Sequence, residues 1–287
     1  MKRVRALIVT ALAVAAVVSM AGVVGSAQTV SATTRVTTNI TVQTVGLGAI
    51  DWTNGVIQVK ASGVGDPSKP MAQRKLLARR AAVVSGYREL LETTKGVLVQ
   101  SETLMRDFMV VNDDVRAAAE GIVNNAVVVP GSETYQEESD GSITCTLTME
   151  MLLRDILVPV YSTMRHEFGT AVVTTTTVPS PYTGLIIDVS GLAFPKPAVF
   201  RVVTVGGTVV YGISVAKYEY ACQSRLASYI NSVIAAKQNL QDRVGANPYV
   251  VKAVRIVGTD IIVPQEVVTV TTSMTTVLQE CRVVVAY

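Results

Sequence analysis

Between Gly55 and Leu104 the spacing of apolar residues changes from two to nearly four and back again, which predicts strand, long helix and strand. Ile57, Val59 and Ala61 alternate with Gln58, Lys60 and Ser62, the pattern of a strand with one buried face. Gly63, Gly65 and Asp66-Pro67 break the alternation as a turn. Ser68 then serves as an N-cap, Pro70 fits the first helical turn and Gly96 offers a left-handed stop, so a helix is expected from Pro70 to Thr94. Along it Leu77, Val84, Tyr87 and Leu91 make an apolar stripe, flanked by Leu76, Ala81, Val83 and Leu90. Arg74, Lys75, Arg79, Arg88, Glu89 and Glu92 largely take the other face. Such a stripe needs a sheet beneath it, and on this reading Val84→Asp would bury a carboxylate and unfold the region.

The flanking segments are read the same way. Ser31 to Val45 is rich in Thr and Val, with Val36, Ile40 and Val42 set among polar residues and no evident local partner. It reads either as a flexible linker or as a strand that adds to the edge of another subunit. Trp52 and Asn54-Gly55 mark the turn into the central unit. After the helix, Val97 to Met105 is expected as a strand, Val115 to Asn125 as a short helix, and Val127 to Val129 with Tyr135 to Glu137 as strand. Asp140-Gly141 turns that strand into Ile143 to Leu152, and Pro159 kinks or breaks a following helix. Residues 171–183 are a linker by composition. Beyond it come a strand at Leu185 to Val189 and a hairpin around Gly206-Gly207. A helix near Cys222 to Leu240, a strand at Tyr249 to Val257 and a final strand at Arg282 to Ala286 follow. Residues 264–280 carry both a helix-start signal and β-prone composition, and are read as helix. The fold class is α+β: two small domains, 51–170 and 184–287, with mixed or antiparallel sheets packed against helices.

Composition adds export to this picture. Lys2, Arg3 and Arg5 precede an apolar run from Ala6 to Val24, and Gly25-Ser26-Ala27 supplies small residues before Gln28. Residues 1–27 are thus expected as a cleaved signal peptide, leaving 28–50 as an N-terminal arm and a mature N-terminus at Gln28 for intact mass to test. No later run is as long and uncharged, so no membrane-spanning helix is expected in the mature chain. Removing three basic residues leaves 25 − 3 = 22 basic against 22 acidic side chains. A neutral chain without a basic block gives no ground for nucleic-acid binding, and it removes one barrier to self-association. Cys145, Cys222 and Cys281 permit one disulfide at most. Cys222 with Cys281 is one reading and three separate buried thiols is the other.

Ala72 to Thr103, with Arg80-Ala81-Ala82 leading through Tyr87 and Leu90 to Gly96-Val97, resembles the outer-membrane lipoprotein domain shared with the flagellar assembly proteins FlgP and FlgT. Tyr182 to Leu192, Val209 to Gly212 and Arg243 to Val254 resemble the second domain of longer exported members of that group. The resemblance implies an envelope or flagellum-associated structural role. The lipoprotein members carry a cysteine at the cleavage site, whereas the first cysteine here is Cys145, so lipid anchoring is not implied.

Candidate chemistry is sparse. His166 is the only histidine, and nothing in the sequence arranges a triad around it. Gly63 to Ser68 lies where a dinucleotide loop would, but Pro67 and Pro70 remove amides and the third glycine is missing, which leaves a turn and cap. Asp113-Asp114 suits a helix N-terminus and Glu137-Glu138 a solvated hairpin. No catalytic residue, cofactor, metal ligand or small-molecule substrate is assigned. The expected function is an exported, non-enzymatic structural protein of the periplasm or outer membrane that self-assembles as a ring, disc or filament, with other envelope or flagellar proteins as partners; a monomeric binding module or adhesin is the alternative, and the missing catalytic constellation disfavours a hydrolase.

Overall fold

The computed structural model describes residues 42–100, 103–171 and 180–287. The expected signal peptide and residues 28–41 of the arm lie outside them, as does most of the expected linker. In the first part of the chain come β1 (Val42–Val45), β2 (Gly48–Asp51), β3 (Val56–Gly65), α1 (Met71–Lys95), β4 (Leu98–Gln100) and β5 (Thr103–Leu104). Next are α2 (Met105–Val111), α3 (Asp113–Val123), β6 (Val127–Val128), β7 (Thr134–Glu137), β8 (Ile143–Leu152) and α4 (Leu153–Thr163). Further on are β9 (Gly184–Asp188), β10 (Val202–Thr204), β11 (Val209–Tyr211), α5 (Tyr218–Ser224), β12 (Ser228–Ile230), α6 (Val233–Asn239) and α7 (Gln241–Val244). The chain closes with β13 (Pro248–Lys252), β14 (Arg255–Val257), β15 (Asp260–Val263), α8 (Val267–Ser273), α9 (Thr275–Gln279) and β16 (Val283–Ala286). The class is α+β.

The first sheet is antiparallel and runs β1-β2-β3-β8-β6, with β7 also on β8. β3 and β8 pair along ten residues each, from Val56↔Leu152 to Gly65↔Ile143. On β3 the alternation holds, with Ile57, Val59 and Ala61 buried. Gly63 and Gly65 do not turn the chain as expected. They continue the strand, paired with Cys145 and Ile143 of β8, and their missing side chains let α1 pass so close that a Cβ on Gly63 would meet the Ala82 amide nitrogen at 2.1 Å and one on Gly65 the Arg74 carbonyl at 2.1 Å.

That contact rotates the buried face away from part of the expected stripe: Leu90 is buried and Val83, Tyr87 and Leu91 pack half-buried against the core, but Leu76, Leu77, Ala81 and Val84 do not. The buried line is Ala78, Ala82, Gly86 and Leu90, one residue per turn, while Leu76, Leu77 and Val84 are 68%, 43% and 44% exposed. Small side chains win because the sheet below presents backbone and Met149, whose Sδ would lie 2.3 Å from a Cβ on Gly86. The expected unfolding by Val84→Asp therefore has no basis. The cap expectations change as well. Asp66 accepts from the Ser68 amide at 2.8 Å and Pro70 is the capping residue, without a side-chain bond. Gly96 is right-handed at φ −81°, and its missing side chain makes room for Val45, 2.2 Å from a Cβ built there.

Val42 to Val45, expected to lack a local partner, pairs with β2 across Gly46-Leu47, with Val45 opposite Gly48. Trp52 fixes this hairpin to the following turn by donating its indole N–H to Gln43 Oε1 at 2.8 Å. Val97 to Met105 supplies no strand to the main sheet; β4 and β5 make a separate ribbon, and the apolar run after it folds as α2. Met105 and Met109 bury one face of that helix.

Two four-stranded sheets make the rest. One is the parallel set β12-β16-β9-β13, the other the mixed set β11-β10-β15-β14. The hairpin β10-β11 forms as expected, and 267–279 is helical apart from Met274. The expected helix from Cys222 to Leu240 is broken. Arg225 adopts φ +66° and ends α5, and Ser228–Ile230 becomes an edge strand beside β16. The Tyr249 to Val257 strand is likewise split between the two sheets, β13 against β9 and β14 against β15.

The turn after β2 is a junction. Asp51 Oδ1 accepts from the Thr53 and Asn54 amides at 2.9 Å each, closing an Asx turn. Trp52 is buried edge-on against Tyr229 with centroids 5.2 Å apart, and Thr53 Oγ1 donates to the Tyr229 carbonyl at 2.8 Å. Arg225 donates to the Trp52 carbonyl at 2.9 Å, with its guanidinium under Gly55, whose φ is +72°. Desolvation pulls the Arg225 pKa down to about 10, so the side chain stays charged at neutral pH, held by carbonyl oxygens.

Candidate functional site

The residues weighed for chemistry are scattered. His166 sits on a 3-10 turn with its side chain 80% exposed, 4.0 Å from Glu167. Asp113, in the first turn of α3, pairs with Arg116 at 2.6 Å. Glu137 lies 3.8 Å from Arg74, and Glu138 accepts from the Thr144 hydroxyl at 2.8 Å. The three cysteines are free, and burial raises each thiol pKa, Cys281 to about 11, so none is poised as a thiolate. Among the described residues no three His, Cys, Asp or Glu side chains gather to hold a metal ion, and no helix is long and apolar enough to cross a membrane.

A surface feature stands out instead, and it follows from how α1 is seated. Arg79 forks onto Glu133, just before β7, at 2.9 to 3.1 Å, so that flank of the helix faces β8. The fork holds Glu133 below the usual carboxylate range. Leu77 is two residues from Arg79, about 200° around the helix, and Val84 is five residues on, about 140° around. Leu77 and Val84 therefore face the opposite side, over β3.

There the sheet is incomplete. β2 pairs only with Val56–Val59, so among the described residues Lys60 to Gly65 has a strand partner on the β8 side alone. The flank and the edge border a shallow, open groove of roughly 620 Å³ lined by Val64, Leu77, Ala81 and Val84, with Asp66, Arg80 and Arg88 at its polar margin. Val64 is 58% exposed. An apolar helix flank beside an unpaired strand edge can do one thing well: accept an extended segment, pairing its backbone and burying alternate side chains.

The groove lies outside the residues that a family model matches. A family model described as Treponema pallidum Tp0624, second domain, matches residues 184–287. Those residues are similar to that domain. No curated protein matches the chain. The Tp0624-like segment begins at Gly184, the first residue of β9, and contains every strand of the parallel and mixed sheets and none of the first sheet. It also contributes Arg225 and Tyr229, which grip the turn at Trp52 and Thr53.

The groove is hidden in the sequence because the spacing of Leu77 and Val84 places them in the core. The available signal was Ala78-x-x-x-Ala82-x-x-x-Gly86 following a strand that ends Gly63-Val64-Gly65: two smooth surfaces suited to close contact, which leaves the bulky stripe outside.

Proposed function

We propose that this chain is an exported, non-enzymatic structural protein of the periplasm or outer membrane that self-assembles into a ring, disc or filament. The observation that carries the proposal is the groove between α1 and the part of the β3 edge that has no strand partner among the described residues, where large apolar side chains and backbone stand together at the surface. The even balance of charge after residue 27 supports it, since like-charge repulsion between copies is weak. The resemblance of Ala72 to Thr103 to the domain of FlgP and FlgT extends the proposal to a place beside the flagellum, with other envelope or flagellar proteins as partners.

Cell fractionation and negative-stain microscopy of the exported protein test this reading. Recovery with the envelope and regular assemblies of one size are expected. A protein found only as single particles in the soluble periplasm would favour a monomeric binding module that uses the same groove for a foreign peptide.

A further inference from the structure

We propose that the groove beside Lys60–Gly65 receives residues 31–41 of a second copy of this chain, added as a strand to the free edge of β3. This rests on the assembly reading above and names its contact. The acceptor is the lane that β2 occupies beside Val56–Val59 and leaves beside Lys60–Gly65, roofed by Leu77, Ala81 and Val84. An added strand there would pair with β3 and place every second side chain under α1.

The pattern of residues 31–41 fits that lane. Val36, Thr38 and Ile40 fall on one face of an extended chain, and Val36 and Ile40 stand about 13 Å apart. Leu77 and Val84, seven residues apart on a helix, are separated by about 10 Å. Two apolar side chains on the segment thus meet two on the roof. Arg35 is the segment's one charged residue, falls on the other face, and stays clear of the apolar roof.

Geometry decides between the same chain and another. Val42 is level with Asp51, and Asp51 with Val56, through the register of β1, β2 and β3. Lys60 is four residues farther along β3, about 13 Å, and its lane is offset from β1 by one strand spacing of about 5 Å. Ile40 is two residues before Val42 and reaches about 7 Å at most. A chain therefore cannot seat its own Ile40 in its own groove, whereas a neighbour can. Each copy then offers one segment and one groove, a head-to-tail contact that closes into a ring or runs on as a filament.

Two double variants of the exported chain test this: Leu77→Asp with Val84→Asp in the groove, and Val36→Asp with Ile40→Asp in the segment. Leu77 and Val84 are exposed, so melting is expected to match the parent and the loss of assembly to be separable from loss of folding. Each variant alone should self-associate at least about 100-fold more weakly, because a charge is forced against an apolar contact. Mixed one to one, the groove variant's intact segment fits the segment variant's intact groove, so light scattering should show two-chain particles and nothing larger. A groove variant that is folded yet assembles like the parent, or a mixture of folded variants that stays unpaired, overturns this contact while leaving the assembly reading standing. A parent chain that is monomeric at all concentrations overturns both.

Discussion

Replacing Gly63 with alanine adds one methyl group and tests how α1 lies on the sheet. The new Cβ would stand 2.1 Å from the Ala82 nitrogen, 2.5 Å from the Ala78 carbonyl oxygen and 2.6 Å from the Ala81 carbonyl carbon, all backbone atoms that no side-chain rotation can move. Reaching the 3.4 Å of ordinary contact requires α1 to retreat by about 1 Å. Gaps of that size forfeit a quarter to a half of each dispersion contact along Ala78, Ala82 and Leu90, so the cost is set at about 3 kcal/mol, the upper end for overpacking. For a chain of this length that lowers the melting temperature by roughly 6 to 12 °C. Val84→Asp, two residues beyond Ala82 but on the exposed flank, should change stability by less than about 0.5 kcal/mol. Thermal and urea unfolding followed by far-ultraviolet circular dichroism reads both. A tolerated Gly63→Ala together with a damaging Val84→Asp would mean that the helix rests on the bulky stripe after all.

Gly55→Ala should cost about 2 to 4 kcal/mol, since φ is +72° and the Arg225 guanidinium carbon lies 2.7 Å from the added methyl; a melting curve like the parent's would dissolve the junction described here. Trp52→Ala should cost about 3 to 5 kcal/mol in the same assay, because a fully buried indole is removed from Tyr229. Stability should fall as pH rises from 9 to 11: the Cys281 thiol is raised from 9.0 to about 11, so the folded chain holds a proton that the unfolded chain has released. That contribution, about 2 to 3 kcal/mol, is complete below pH 9 and lost above 11, and Cys281→Ala should flatten the window in urea titrations. Buried Tyr161, Tyr211 and Tyr229, also raised, add a further decline from pH 10 upward that this substitution leaves in place.

Local periodicity made β3, β7 and β8 of the first sheet legible, although β3 runs on through the glycines expected as its turn and the β1-β2 hairpin was not expected; α1 is displaced from its expected limits by one residue. What the sequence concealed was contact between distant segments. The face of α1 depends on Gly63, Gly65 and Met149 beneath it, and a count of apolar residues favours the bulky stripe over the small one. The break at Arg225 depends on carbonyls of Trp52 and Thr53, more than 170 residues away, that hold the guanidinium. β12 has only three residues and takes strand form because β16 lies beside it. The groove was legible in its parts, Val64, Leu77 and Val84, but only the seating of α1 tells that they face outward.

Sedimentation velocity of the exported chain across a wide concentration range measures self-assembly most directly. A fast-sedimenting species at a fixed multiple of the chain mass, or a continuous series of multiples for a filament, that dissociates on dilution is expected. A single species at the mass of one chain, unchanged up to the highest concentration, would contradict it.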